Sequence, residues 1–285
     1  GAAHDWWRDG AIRALDAALQ EKGGRLHVLR GKAEDLVPAL AKVCKASAVH
    51  WNRRYDPAGR AIDTAIKTQL KSHGTEAHSF PGALLHEPWT IRTQADKPFQ
   101  TGRQVFEKHG SRARKQPTNI SRFFAEDTLR GYSEERDYPA AEACSRLSPY
   151  LRFGHVTPAQ LWHTAMQADA SAQNKDKFLA ELGWREFAWS ILFELADVAT
   201  RSLRPEFDEL PWRADPKGLK AWQSGRTGYP LVDAGMRELW HTGWMHNRIR
   251  MVVASFLVKH LLLDWRKGER WFADTLVDHD PAATR

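Results

Sequence analysis

The sequence predicts two domains, a Rossmann-like parallel α/β domain followed by an all-α domain. The chain has 285 residues, which is enough for two hydrophobic cores. Its first part alternates between helix-like and strand-like segments, as in a parallel sheet with helices on its faces. From about Ser121 onward the pattern is helical, with turns marked by Pro and Gly. We therefore predict an α/β domain at 1–91, a linker at 92–120 and a helical domain at 121–285.

The elements of the α/β domain follow from hydrophobic periodicity and from residues that bound helices. An apolar face along residues 5–22, with Gly23–Gly24 after it, predicts the first helix. Pro57 near the start and Gly74 just past the end bound the third helix. The predicted helices are 5–22, 33–45 and 57–72, and the predicted strands are 26–29, 47–51 and 76–80. No GxGxxG sequence occurs, so the usual dinucleotide-binding fingerprint is absent.

Residues 92–118 break this rhythm. They are rich in Lys, Arg, Gln, Gly and Pro and have little apolar periodicity, which predicts a linker or loop. Helix-like patterns return afterwards, clearly at 178–189 and within 244–265. The apolar stripe of the second pattern consists of Ile249, Val252, Val253, Phe256, Leu257 and Leu261.

Composition narrows the function. The net charge of +7 and a pI near 9.5 favour polyanionic partners such as nucleic acids. No apolar run reaches about 18 residues, so no membrane helix is predicted. Cys44 and Cys144 provide no disulfide framework, and the histidines show no metal-binding spacing; we predict no metal and a cytoplasmic monomer. There are 13 tryptophans, many of them between Trp184 and Trp271, which indicates a stacking surface, a redox path or both.

Four groups of residues could carry chemistry, and each has an ordinary structural explanation. Ser145 and Ser148 are predicted to cap helices, and their hydroxyls beside free N–H groups would also suit a phosphate. Glu181, Trp184 and Arg185 share one helix face, which is typical of a core tryptophan beside a surface salt bridge.

The other two groups lie further along the chain. Asn247 and Met251 are i, i+4 neighbours, and alone Asn247 would be a cap and Arg248 a solvated charge. Asp278 and Asp280 would be a solvated acidic loop.

Longer segments resemble the DNA photolyase and cryptochrome family. Residues 144–151, CSRLSPYL, are similar to the TSxLSPYL motif of that family, with Cys144 in the place of Thr. Residues 221–237 resemble its AWxxGxTGYPxVDAxMR stretch. Residues 244–251, WMHNRIRM, match photolyases that repair cyclobutane pyrimidine dimers, whereas enzymes for the (6-4) photoproduct and animal cryptochromes are histidine-rich there. The chain is therefore most similar to a class I cyclobutane pyrimidine dimer photolyase.

The resemblance implies a fold and a cofactor. It implies an N-terminal α/β antenna domain and a C-terminal all-α FAD-binding domain. It also implies an Arg250–Asp278 pair close to flavin N5. The implied FAD-binding residues are Tyr132, Cys144, Ser145, Arg146, Leu147, Ser148, Phe178, Arg185, Arg250, Asp278, His279 and Asp280.

The resemblance further implies UV-damaged DNA as the partner. Trp184 would stack on the flipped pyrimidine dimer, and Glu181 would hydrogen-bond its edge. The implied catalytic residues are Glu181, Trp184, Asn247 and Met251, and the implied DNA-binding residues are Arg136, Glu181, Trp184, Arg185, Asn247 and Arg248.

The resemblance also implies an electron-transfer path made of tryptophans and a second chromophore. Trp265 and Trp222 match the middle and outer members of a three-tryptophan chain, whose inner member would follow Ala283. Residues 51–56 resemble the strand end that borders an antenna chromophore. The sequence leaves open whether this chromophore is a deazaflavin, a folate or absent. Compared with the family, we expect both domains to be incomplete and the region around 99–122 to be short.

Two other functions remain open from the sequence. One is a cryptochrome-like blue-light photoreceptor without repair activity, and the other is a catalytically silent nucleic-acid-binding flavoprotein. Glu181, Trp184, Asn247 and Met251 favour repair, because a photoreceptor needs no pocket for a dimer.

Overall fold

The computed structural model describes residues 1–90, 92, 123–124 and 127–283. The N-terminal elements in chain order are α1 (Ala2–Gln20), α2 (Ala33–Val43), β1 (Ala48–Asn52), α3 (Pro57–Ser72) and β2 (Glu76–Phe80). β1 and β2 pair in parallel, with Ala48 opposite Glu76 and Asn52 opposite Phe80. A parallel pair joined by a helix is the predicted βαβ arrangement, which is confirmed.

α3 shows why its boundaries could be predicted. Its N-cap, Asp56, accepts a hydrogen bond from the Gly59 N–H at 2.8 Å, and Pro57 occupies the first turn. The chain leaves the helix through Gly74, whose φ of +73° suits glycine. α2 and α3 pack on one face of the sheet, where Ile66 and Leu70 are buried.

The strand predicted at 26–29 is wrong. This segment has no regular structure, and Val28 and Leu29 are 64% and 55% exposed. Among the described residues, the ladder of strand hydrogen bonds joins only β1 and β2. An apolar run becomes a strand only when a neighbouring strand takes its N–H and C=O groups.

The second part of the chain is helical, as predicted. Its helices are α4 (Tyr132–Glu135), α5 (Ser148–Arg152), α6 (Pro158–Gln167), α7 (Ala172–Glu194), α8 (Pro216–Gln223), α9 (Pro230–Thr242), α10 (Asn247–Ser255) and α11 (Trp265–Thr275). A π-helical turn, Phe256–His260, extends α10, and short 3₁₀ helices lie at Pro88–Thr90, Asp127–Leu129, Ala196–Ala199 and Pro205–Glu209. Except for Arg92, the predicted linker 92–120 lies outside the described residues. In the described part of the chain, no helix has the length and apolar character that a membrane crossing needs.

α7 joins the two parts of the chain. Ser171 caps its start by accepting a hydrogen bond from the Asn174 N–H at 3.3 Å. In its middle, the Glu186 carboxylate accepts hydrogen bonds from the N–H groups of Leu85 (2.8 Å) and His86 (3.1 Å). These contacts hold the segment after β2 against the helical region.

The helical region contains a separate core formed by α8 to α11. Trp222, Met236, Met245, Val253 and Leu263 are fully buried there. This packing buries Ile249 and Val253 of α10 and leaves Asn247 and Met251, on its other side, exposed.

Candidate functional site

A cavity of about 1100 Å³ opens in the helical region. Ligand pockets of proteins measure roughly 300–1,000 Å³, so this cavity could hold a large ligand. Its walls come from α4, α5, α7, the start of α10 and the segment after α11. The predicted site residues that line it are Tyr132, Arg136, Cys144, Ser145, Arg146, Leu147, Ser148, Phe178, Glu181, Trp184, Arg185, Asn247, Arg248, Arg250, Met251, Trp265, Asp278 and Asp280. Residues that are more than 100 positions apart in the sequence thus meet in one cavity.

A buried carboxylate, Asp278, forms one wall. It is 4% exposed, and its Oδ2 lies 2.8 Å from Arg250 Nη2. Ser148 Oγ donates a second hydrogen bond to it at 2.6 Å. A buried charge needs such partners, and the predicted Arg250–Asp278 pair is confirmed.

The loop before α5 differs from its prediction. Leu147 is the N-cap of α5 and makes no side-chain cap bond, so Ser148 as a helix cap is wrong. Its hydroxyl is taken by Asp278, 130 residues away, which the local sequence cannot show. Ser145 Oγ accepts a hydrogen bond from the Leu147 N–H at 3.4 Å, and Arg146 has a left-handed φ of +50°. The Arg146 guanidinium lies 4.7 Å from the Trp244 ring centroid, a cation–π contact.

A charged network lies beside the mouth of the cavity. Arg136 is only 6% exposed and lies between Glu181 (3.0 Å) and Asp137 (3.1 Å). Burial raises the pKa of Glu181, and the Arg136 guanidinium opposes that rise. The contact of Arg136 with a DNA phosphate stays a prediction; in this structure its guanidinium lies between two carboxylates. Arg248, with 43% of its side chain exposed, binds the other oxygen of Asp137 at 2.6 Å.

Arg185 anchors the cavity wall to the N-terminal region. Its Nη1 donates to the Ala83 carbonyl at 2.7 Å and lies 3.4 Å from Glu186 Oε1. Only 13% of its side chain is exposed, so the surface salt bridge considered for this helix face is wrong. Because Arg185 Nη1 is already bonded to the Ala83 carbonyl, the structure gives no support to a DNA contact for Arg185.

The mouth itself is formed by apolar and amide side chains. Trp184 is 54% exposed and Met251 is 57% exposed, which excludes the core position considered for Trp184. Asn247 is exposed and is the first residue of α10; the cap is His246, whose Nδ1 accepts from the Arg248 N–H at 3.1 Å. Exposed apolar side chains grouped at a cavity are typical of a binding surface.

Two predicted residues lie elsewhere. Trp222 is fully buried, with its Nε1–H donating to the Val253 carbonyl at 2.9 Å, so its assignment as the outer tryptophan is wrong, because the outer end of an electron path must reach solvent. The ring of His279 is outside the cavity and pairs with Glu269 at 3.2 Å; burial lowers the pKa of this imidazole.

Another tryptophan, Trp212, is more exposed than Trp222. It is half-buried, and the next residue, Arg213, donates its N–H to the Leu262 carbonyl at 2.8 Å. This bond holds Trp212 close to the turn before α11, which begins with Trp265. Trp212 lies in a segment without periodicity, so no local signal distinguished it.

Comparison with known proteins identifies the family. A family profile described as the FAD-binding domain of DNA photolyase matches residues 178–285, and one described as DNA photolyase matches residues 1–146. The deoxyribodipyrimidine photo-lyase of Agrobacterium fabrum is 39% identical over 99% of this chain and 69% of that protein. The chain belongs to the DNA photolyase family.

Solved and curated members show how close the likeness is. The crystal structure of a bacterial class III photolyase from Agrobacterium tumefaciens has a TM-score of 0.91 and 39% identity, covering 100% of this chain and 69% of that one. Cryptochrome-2 of Arabidopsis thaliana is 32% identical over 98% of this chain and 56% of that protein. This photolyase-family chain thus spans about two thirds of the Agrobacterium relatives and has the α/β-plus-helical fold that the sequence predicted.

Proposed function

We propose that this chain binds FAD and splits cyclobutane pyrimidine dimers in DNA when illuminated. The observation that carries the proposal is one cavity with two unlike parts. Its mouth presents the exposed Trp184 and Met251 beside Glu181, and its buried wall holds the Arg250–Asp278 pair. A lesion at the mouth and a cofactor inside would therefore lie in direct proximity, which short-range electron transfer requires.

The residues inside the cavity fit a flavin dinucleotide. The volume suits a ligand of that size, and the Ser145 hydroxyl, which accepts from the Leu147 N–H, would donate its own hydrogen to a pyrophosphate. The Arg250–Asp278 pair offers a guanidinium and a carboxylate to polar ring atoms. When bound and reduced, FAD supplies one electron on excitation and takes it back after the cyclobutane ring opens.

The residues at the mouth would bind and orient the lesion. Trp184 has an open ring face for stacking on a base taken out of the duplex. Glu181 would accept or share a hydrogen bond at the dimer edge, and the Asn247 amide would add a second polar contact. Met251 would pack against the dimer, and Arg248 would meet a phosphate, which positions DNA without reading its sequence.

Photoreduction of the cofactor would use a tryptophan path. Trp265 lines the cavity, and we assign the outer position to the half-buried Trp212 rather than to Trp222. The antenna chromophore, the class I assignment, the domain bounds and the monomeric cytoplasmic state stay predictions.

The proposal is tested by repair of a defined lesion. The purified chain, loaded with reduced FAD, is mixed with DNA containing a thymine dimer and illuminated with blue light, and restored thymine is measured. We expect turnover on this substrate and none on a matched (6-4) photoproduct duplex. A flavin-loaded sample that photoreduces but restores no thymine would instead support the photoreceptor, which the likeness to cryptochrome-2 keeps as the second candidate.

A further inference from the structure

Asp137 is a carboxylate that the proposed function leaves without a role. It lies two residues after α4, and 35% of its side chain is exposed. Its two oxygens bind different arginines: Oδ1 lies 3.1 Å from Arg136 Nη1, and Oδ2 lies 2.6 Å from Arg248 Nη2. Asp137 is thus shared between an arginine buried in the cavity wall and an arginine at the mouth.

Arg248 is the cation that this contact restrains. It lies between the lesion residues, next to Asn247 and with its Nη1 4.0 Å from Met251 Sδ. A guanidinium binds a phosphate most strongly with two parallel N–H groups. Because Asp137 already occupies Nη2, a phosphate at this position must share Arg248 with Asp137 or displace it.

Asp137 keeps its charge under the conditions of DNA binding. The hydrogen bond from Arg248 lowers the pKa of Asp137, and the charges of Arg136 and Lys177 act in the same direction, while burial opposes them. All three cations line the cavity together with Glu181. Asp137 therefore places a fixed negative charge directly beside Arg248.

We propose that Asp137 competes with the DNA backbone for Arg248 and so weakens binding to undamaged DNA more than binding to a lesion. The inference rests on the proposed function. Undamaged duplex is held mainly by phosphate contacts, and the loss of one such contact is felt in full. A flipped lesion would also contact Trp184 and Glu181. We expect the position in which Asp137 holds Arg248 to favour lesion binding, and this gain offsets part of the competition between Asp137 and the phosphate.

The test measures DNA affinity against salt concentration for Asp137→Asn. Two duplexes that differ only in one thymine dimer are titrated by fluorescence anisotropy in the dark, over a range of salt. We expect the variant to bind undamaged DNA about threefold more tightly, in line with measured strengths of partly exposed ion pairs. Its plot of log K against log salt should be steeper by about 0.9, the increment for one additional phosphate contact. The preference for damaged DNA should also fall, by less than this factor of about three, because lesion binding gains part of the released contact.

Matched variants separate this mechanism from a change of net charge or of folding. Asp9→Asn removes the same charge from an exposed pair with Arg13 on α1 and should leave both plots unchanged. Asp137→Glu keeps the anion and should keep the slope near that of the wild type. In an Arg248→Gln background, Asp137→Asn should have no further effect on the slope.

Three results would overturn the inference: an unchanged slope for Asp137→Asn, an equal change for Asp9→Asn, or a full effect in the Arg248→Gln background. If the wild type itself does not distinguish the two duplexes, the proposed function fails together with the inference. If the wild type does distinguish them and Asp137→Asn matches it, the inference alone fails.

Discussion

At the scale of single residues, the proposed function depends on side chains placed at the boundary between burial and solvent. Glu181 is one of them: its carboxylate meets the buried Arg136 while about a third of the side chain stays exposed at the cavity. Trp184, three residues later, is still more exposed. In the proposed function, this pair would give a lesion both a hydrogen-bonding group and a stacking surface.

The stacking role of Trp184 predicts a loss of lesion affinity on truncation. Stacking of a base on an aromatic ring is worth about 1–3 kcal/mol, so Trp184→Ala should weaken binding to dimer-containing DNA by about tenfold or more. Flavin absorption should stay unchanged. Trp240→Ala is the control, because Trp240 is 64% exposed but stacks on Trp271 outside the cavity lining. Equal binding by wild type and Trp184→Ala would contradict the role.

If the Glu181 carboxylate assists dimer splitting, its loss should slow splitting even when the enzyme is saturated with DNA. Glu181→Gln keeps the shape but removes the charge, and we expect the rate of thymine restoration under saturating light to fall about tenfold, which is about 1.4 kcal/mol in the barrier. Glu134→Gln, on the exposed side of α4, should repair at the wild-type rate. A wild-type rate for Glu181→Gln at saturating DNA would show that the carboxylate is dispensable.

At the scale of elements, α7 does two tasks on neighbouring residues. Glu181 and Trp184 serve the cavity, whereas Arg185 and Glu186 hold the segment at Ala83–His86. Glu186 is 2% exposed, and burial raises its pKa to about 7, against the opposing effects of Arg185 and two backbone N–H groups. The contact between the two parts of the chain thus includes a carboxyl group that titrates near neutral pH.

The raised pKa of Glu186 predicts how stability depends on pH. Because the pKa is higher in the folded than in the unfolded chain, protonation stabilises the fold; this contribution is complete below about 4.5 and is lost as the pH rises through about 7. The wild-type free energy of unfolding should therefore fall by up to about 3 kcal/mol between these pH values, and Glu186→Gln should remove this fall. Denaturant unfolding at several pH values measures this, with the exposed Glu21→Gln as control. An identical pH profile for wild type and Glu186→Gln would refute the assignment.

At the scale of the whole molecule, the cavity collects residues from α4 to the segment after α11, and the proposed tryptophan path would connect it to the surface. Trp265 lines the cavity, Trp212 lies half-buried near the turn before α11, and Trp222 is enclosed in the core. An electron path needs a terminal ring that solvent can reach, and only tertiary position decides which ring that is.

This arrangement predicts different effects for three similar substitutions. Trp265→Phe and Trp212→Phe should each lower the rate of flavin photoreduction by about tenfold or more. This is the effect expected when the activation barrier rises by at least about 1.4 kcal/mol. Trp222→Phe should leave that rate near the wild-type value, although it removes a buried hydrogen bond to Val253 and lowers thermal stability. The rate of flavin photoreduction is followed by flavin absorbance during illumination with an external reductant. Slow photoreduction in Trp222→Phe together with a wild-type rate in Trp212→Phe would support Trp222 as the outer tryptophan.

Much of the fold was predictable because local rules determine it. The boundaries of α3 follow from Asp56, Pro57 and Gly74, and the two paired strands follow from short apolar segments beside helices. The predicted strand at 26–29 failed for the opposite reason: a strand needs a partner, and no residue within the segment reports whether one is present.

The sequence by itself determined the family, the order of α/β and helical parts, and most of the side chains that line the cavity, because long motifs carry that information in consecutive residues. Only the tertiary structure decided which of them face solvent and which bind one another. It placed Ser148 on Asp278 rather than on a helix end, enclosed Arg136 between two carboxylates, and buried Trp222. The physical reason is that burial and pairing depend on residues distant in the sequence, 130 positions away for Ser148 and 31 for Trp222, whose positions are set by packing and not by the neighbours in the chain.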